Sequence, residues 1–403
     1  MGPAVRRLGI ALSAVLLIAG CVGPAGVART SIASPAPAAA LAGQATPGPA
    51  TAIAARSATS AGGSTRTATA ATTARPTVRQ LIGQKLVVRM DGTTPSADLL
   101  GRIRRGEIGG VILFGSNLTT RSALIALTGT LRAAAAAGGQ PRFIIAVDQE
   151  GGAIKRIPWA PPTLSVPHMG GIASTSVARA QGAATGAALR GLGINVDFAP
   201  VADVPATTAS VMYRQGRTWS FSAVRTAALA DAFATGLESK GIVPSMKHFP
   251  GIGFAAKDTD SSVVTIGVSA ARLAPGLRPY RTAIAHHIPL IMLSNATYSA
   301  YDRSNAAGWS HAIGTTLLRT TLGFKGVTIT DSLNGTAAAR GLSSRSLALC
   351  AARAGTDMLL LTGSEASTRA VYESLVDAAT TGSLSRTVLR ASYTRILALK
   401  AGL

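Results

Sequence analysis

From Val78 onward the chain alternates, eight times over, between a short apolar run and a longer Ala/Leu-rich segment. The runs occupy residues 84–90, 109–114, 143–148, 195–201, 242–248, 289–295, 326–331 and 357–362. A short continuous apolar run reads as a strand buried on both faces, and a parallel neighbour needs a crossover helix between the two. Segments 122–138, 176–192 and 223–241 have the length and composition of such helices. Eight βα alternations predict an α/β fold, a single-domain (β/α)8 barrel rather than an open doubly wound sheet. No G-x-G-x-x-G follows a run and no P-loop occurs, so no glycine-rich phosphate cradle is expected.

Nearly every run ends in polar residues. The third ends in Asp148-Gln149-Glu150-Gly151-Gly152, with Lys155 and Arg156 just beyond. The fourth runs into Asp203, with Arg217 further along that connection; the fifth ends in Lys247-His248, the sixth in Ser294-Asn295 and the seventh in Thr330-Asp331-Ser332. In a barrel these ends converge on one mouth. Carboxylates facing Lys, Arg and His in one cup can hold carbohydrate hydroxyls and keep a carboxylate nucleophile ionised. Asp331 closes the apolar strand Val327-Thr328-Ile329 and is the nucleophile candidate; the plainer role is a cap for the next helix. Asp148 could fix sugar hydroxyls, or simply pair with Arg156. Tyr298, Trp219 and His168 read as wall or packing residues. After Lys247-His248 comes a Pro/Gly turn through Gly253 and then Asp258-Thr259-Asp260, two carboxylates on a loop that its glycines would let swing.

The first 75 residues carry another message. Arg6-Arg7, an apolar run from Leu8 to Ala19 and a small-residue site predict a secretory signal peptide over 1–20. That run is too short to remain as a comfortable membrane span. Leu17-Ile18-Ala19-Gly20-Cys21 looks like a bacterial lipobox, which would make Cys21 the lipid-modified first residue of a mature protein held on the outer face of the cell membrane. The alternative is an ordinary cleaved signal with an incidental Cys. Residues 21–75 are, after Cys21, almost entirely Ala, Thr, Ser, Pro and Gly, the composition of a disordered tether with a reach of roughly 40 Å. Residues 76–403 are left as the barrel.

The net charge is +22; residues 76–403 alone carry 33 bases against 17 acids. The bases are scattered, with no Lys/Arg block interleaved with aromatics, and export would take the chain away from nucleic acid. A solvated basic surface beside an anionic envelope or acidic sugar polymer is the expected use. The two cysteines, Cys21 and Cys350, suggest no cysteine-based metal site.

Five blocks together resemble a known family. They are Gly110-Val111-Ile112-Leu113-Phe114-Gly115, Asp148-Gln149-Glu150-Gly151-Gly152 with Arg156, Asp197-Phe198-Ala199-Pro200-Val201-Ala202-Asp203, Lys247-His248-Phe249-Pro250-Gly251, and Gly323-Phe324-Lys325-Gly326 leading to Asp331. The chain is similar to family 3 glycoside hydrolases of the single-domain, NagZ-like β-N-acetylglucosaminidase type, in a lipoprotein form. The resemblance implies a monomeric retaining enzyme that removes terminal β-linked N-acetylglucosamine from peptidoglycan fragments, with no metal and no organic cofactor. It makes Asp331 the nucleophile and gives Asp148, Arg156, Arg217, Lys247 and His248 the terminal sugar.

The chain departs from that pattern in four places. The family reads K-H-F-P-G-H-G, four residues, then Asp-Ser/Thr-His, whose last His is the general acid/base. Here the first of those histidines is Ile252 and the second is Asp260, within Asp258-Thr259-Asp260. Ser332 stands where a second Asp is common, and Asn295 replaces a frequent His. A carboxylic acid can replace an imidazole near neutral pH only if burial or a neighbouring carboxylate raises its pKa. Asp258 would push Asp260 up, while Lys247 and Lys257 would oppose it. Asp331, Asp260 and Asp258 are therefore the catalytic candidates. The competing expectations are an amino-sugar-binding barrel that does not cut, and a hydrolase of another β-glycoside.

Overall fold

The computed structural model describes residues 75–403. The expected signal peptide, Cys21 and all but the last residue of the tether lie outside the described residues. All eight apolar runs form strands: β1 (Leu86–Arg89), β2 (Gly110–Leu113), β3 (Ile144–Val147), β4 (Val196–Asp197), β5 (Val243–Phe249), β6 (Leu290–Leu293), β7 (Val327–Thr330) and β8 (Leu359–Leu361). They pair in parallel in the order β7-β6-β5-β4-β3-β2-β1-β8. The ring closes where Ile329 pairs with Met358: Met358 N donates to Thr328 O at 2.8 Å, and Thr330 N to Met358 O at 3.1 Å. This is the expected barrel.

Side chains alternate across each strand. Val87, Ile112, Ile144, Ala146, Leu290, Met292, Val327, Ile329 and Leu360 point inward and fill the barrel. Their neighbours Leu86, Val88, Val111, Leu113, Ile145, Val147, Ile291 and Leu293 point outward into the shell of helices. Both faces are dry, which is why the strands read as unbroken apolar runs. β4 is shorter than its run, although past it Ala199 O and Pro200 O still accept from Ser245 N and Lys247 N of β5.

The predicted helices appear as Arg121–Ala137, Thr175–Gly191 and Ala223–Glu238. Each starts at a hydroxyl cap: Thr120 accepts from Ala123 N, Ser174 from Val177 N and Ser222 from Arg225 N.

The C-terminal helix Arg386–Ala401 seals the floor of the barrel. Its Ile396 and Leu399 join the inner core, and its buried Lys400 donates from Nζ to Gln84 Oε1 (2.6 Å) and Gly109 O (2.7 Å). Burial pushes the Lys400 amine down to about 7. The folded chain thus releases this proton near pH 7 and the unfolded chain near 10.5, so stability gains a one-proton rise with pH across that window. Lys400→Met should flatten that rise relative to the parent when urea midpoints are compared at pH 7, 8 and 9.

Candidate active site

The carboxyl ends of the strands open into a cavity of about 720 Å³. β3 delivers Asp148 and passes into a hairpin, Gln149–Gly151 against Ile154–Lys155, whose alternation returns Glu150 to the same side as Asp148. The Gln149 amide pins this turn: Nε2 donates to Ile157 O (3.0 Å) and Pro161 O (2.9 Å), and Oε1 accepts from Ile157 N (3.0 Å). β5 delivers Lys247 and His248, joined by a cis peptide bond, and both line the cavity.

Lys247 is the hub. Its Nζ donates to Asp148 Oδ1 at 2.8 Å and lies 2.6 Å from Glu150 Oε1. Arg217 grips the same Glu150 with both arms, Nε to Oε2 (2.8 Å) and an Nη to Oε1 (2.7 Å). Burial alone would raise the Glu150 carboxyl, but the Lys247 ammonium and Arg217 guanidinium hold it down at about 2. At both cations burial is overcome, by Glu150 at Arg217 and by Asp148 and then Glu150 at Lys247, and both are held above their usual values. Arg156 reaches Asp148 at 3.6 Å and lies over the Phe114 ring.

Beside this network stands a second one. His248 Nδ1 is 2.7 Å from Asp203 Oδ2, and Asp203 Oδ1 accepts from Ile252 N at 2.7 Å. The other ring nitrogen, Nε2, lies 3.9 Å from Asp331 Oδ2. Asp331 is seated by its backbone, which donates to Leu293 O (2.9 Å), and its Oδ1 accepts from Ser332 N (2.8 Å). No side-chain cap bond starts the next helix, Leu333–Ala339, so Asp331 does not take the capping role. Asn295 Nδ2 donates to Ser332 O (2.7 Å), and Ser332 Oγ is 2.6 Å from Thr362 Oγ1.

The loop after β5 is clamped at both ends. A Cβ on Gly253 would sit 1.7 Å from Val204 O, and one on Gly335 would sit 2.4 Å from Asp260 O. Only glycines allow these approaches, and the second seats Asp260 against the helix that follows Asp331. Asp258 is engaged on both oxygens, Oδ1 by Asp260 N (2.9 Å) and Oδ2 by Gln215 Nε2 (3.0 Å). Asp260 lines the cavity but keeps an exposed face. Burial at the rim and then the charges of Asp331 and Asp258 push its carboxyl up, to about 8. The main opposing cation is Arg217, rather than Lys247 and Lys257 as the sequence suggested.

Asp148, Arg156, Arg217, Lys247, His248, Asp258, Asp260 and Asp331 thus all line one cavity. Tyr298 and Trp219 are packing residues: the Tyr298 hydroxyl donates to Gly251 O (3.1 Å), and Trp219 Nε1 to Val201 O (2.8 Å). His168 is exposed and outside the lining. Sequence reasoning placed Glu150 and Asp203 among the run ends at the mouth but gave neither a role of its own, and it missed Gln215. Glu150 had a usable signal, since it stands two residues after Asp148 before a Gly-Gly turn. Gln215 had none.

A closed parallel barrel whose mouth gathers ionised and proton-bearing carboxyls among Lys, Arg and His defines a hydrolase site of the carbohydrate-cleaving class. The model of the glycosyl hydrolase family 3 N-terminal domain matches residues 77–399, and the chain belongs to this family. It is 33% identical over 330 residues to an uncharacterized secreted glycosyl hydrolase of Arthroderma benhamiae, covering 80% of this chain and 92% of that one. It is 30% identical over 311 residues to a beta-hexosaminidase of Methylococcus capsulatus, covering 76% and 91%. The solved family 3 beta-N-acetylglucosaminidase of Paenibacillus sp. str. FPU-7 superposes with a TM-score of 0.77 at 28% identity; the match covers 81% of this chain and 63% of that one.

Glu150 is the counter-charge of two buried cations, and removing one partner of a buried ion network costs about 3–5 kcal/mol. Glu150→Gln should lower chemical stability by that order, read from urea unfolding at pH 7. Asp258→Asn, at a half-buried position, should cost much less.

Proposed function

We propose that this family 3 hydrolase is a retaining β-N-acetylhexosaminidase that removes terminal β-linked N-acetylglucosamine from cell-wall fragments. The observation that carries the reading is Asp331: it closes a rigid strand, keeps Oδ2 3.9 Å from His248 Nε2, and shares the cavity with Asp260, a carboxyl held toward its protonated form. The names of the Methylococcus and Paenibacillus relatives support the same sugar class. In this reading Asp148, Arg156, Arg217, Lys247 and His248 take the hydroxyls of the terminal sugar. Ile112, Met292 and Leu360, at the top of the inner core, meet an apolar face of the ring.

Asp331 attacks the anomeric carbon as the glycosidic C–O bond breaks. The leaving oxygen takes the Asp260 proton, and a glycosyl ester on Asp331 remains. Water then attacks the same carbon and yields a proton to the Asp260 carboxylate, and Asp331 leaves as the free carboxylate, so the configuration is retained. Asp258 acts by positioning: its two hydrogen bonds hold the backbone of Asp260 and tie the loop to Gln215. We further propose export, in keeping with the secreted Arthroderma relative, with Cys21 as the lipid anchor of a monomer on the outer face of the cell membrane.

Trapping with a 2-fluoro glycoside followed by peptide mapping should place the label on the peptide that holds Asp331, and Asp331→Asn should abolish labelling. Asp260→Asn should lower kcat/KM for unactivated substrates by about 10²–10⁴-fold. In the parent, kcat/KM should fall as pH rises past about 8, because the free enzyme then loses the proton that Asp260 must donate. Asp260→His should move that limb down toward about 6.5. Two results together would instead favour a sugar-binding barrel that lost its catalyst: no label on the parent, and a large gain in rate from Asp260→His.

A further inference from the structure

The mouth of the barrel is electrically balanced. Five carboxyl groups (Asp148, Glu150, Asp258, Asp260, Asp331) line it with four cations (Arg89, Arg156, Arg217, Lys247), and with Asp260 held toward its neutral form the charges are four against four. The opposite face is not balanced. Two adjoining cavities of about 510 and 600 Å³ run across the floor, where β3, β4 and β5 begin, and share Arg190 and Gly241. Arg132, Arg142, Arg190 and Lys240 line this joined cleft, and the one lining residue that bears a carboxylate is Leu403, through its α-carboxylate. All four are exposed, and among the described residues none of them forms an ion pair.

Cations commonly sit at helix C-termini, where they meet the last carbonyls. That explains Arg190, which ends the helix Thr175–Gly191 and donates to Lys240 O at 3.4 Å. It does not explain Arg142, in the loop before β3, or Arg132, which lies outside the last turn of its helix. Four like charges along one concavity repel one another, and a ligand of opposite sign would relieve that repulsion.

We propose that the floor cleft binds a linear polyanion carrying phosphate charges in series. Three of the four cations are arginines, whose planar guanidinium matches phosphate oxygens two at a time. The spread of the charges favours a chain: they are divided between two adjoining cavities, so a ligand with charges in series meets more of them at once than a single phosphate can. Binding at the floor would leave the mouth, on the far side of the barrel, open to glycan.

The probe is fluorescein-labelled inorganic polyphosphate, titrated with the full chain at several salt concentrations. Orthophosphate at equal total phosphate and phosphatidylglycerol vesicles form the comparison arms. The polymer should bind, with log affinity falling linearly against log salt. Arg142→Ser/Lys240→Ser should weaken it about tenfold or more and flatten the salt slope, with the melting temperature and hydrolysis of a small chromogenic glycoside unchanged. Arg132→Ser/Arg190→Ser is the second pair, and carries the comparison should the first fail to fold. The arginines of residues 1–74 remain in every variant, so a difference reports the floor alone. Parental affinity in a folded variant pair would overturn the proposal. So would competition by orthophosphate as strong as by the polymer, or binding to vesicles without binding to polymer.

Discussion

The architecture of the mouth depends on one buried charge. Glu150 is enclosed between Lys247 and Arg217, and through them it joins the hairpin after β3, the connection after β4 and the strand β5. A carboxylate so deeply desolvated is tolerable only with both cations in place, and the cations are tolerable only with it. The geometry is therefore held all together or not at all. Asp148 completes the set from the solvent side, with Lys247 on one oxygen and Arg156 near the other. The cavity-facing edge of this network is thus prearranged, which spares a ligand the cost of ordering it.

Around this rigid patch the chemistry is divided by environment. Glu150 is driven far into its ionised form by the cations that touch it, whereas Asp260 is driven toward its neutral form by burial and by neighbouring acids. Carboxyls in one cup take opposite protonation states because their immediate neighbours differ in sign. In the proposed mechanism Asp260 does the work of an imidazole, and its acidity must be imposed from outside. Asp258 and the close contact at Gly335 impose it, by holding Asp260 within reach of the field of Asp331.

Much of this was legible in the chain. Eight apolar runs read as eight strands because each is buried on both faces, and their polar ends converge because parallel strands point the same way. Asp148, Lys247, His248 and Asp331 could be picked out for that reason. Asp260 could be singled out only against the family pattern, and the sign of its shift depended on which charges the folded loop brings near. The sequence favoured Lys247 and Lys257 as opponents by proximity along the chain; in space the opposing role falls to Arg217, more than forty positions earlier in the chain. Gln215 was invisible, since a lone amide on a loop carries no pattern.

β8 pairs with β1 on one side, Leu359 beside Leu86, and shuts the ring against β7 on the other, where Met358 meets Ile329. The stave that completes the cylinder is therefore the last one made. Until the final residues are present, the inner core lies open along one seam and its floor lacks Ile396 and Leu399. A nascent or truncated chain would expose two unpaired strand edges and an oily interior at once, a state prone to sticking to its own copies. Such a fold favours all-or-none completion, and a chain shortened at its carboxyl end loses far more than the helix removed.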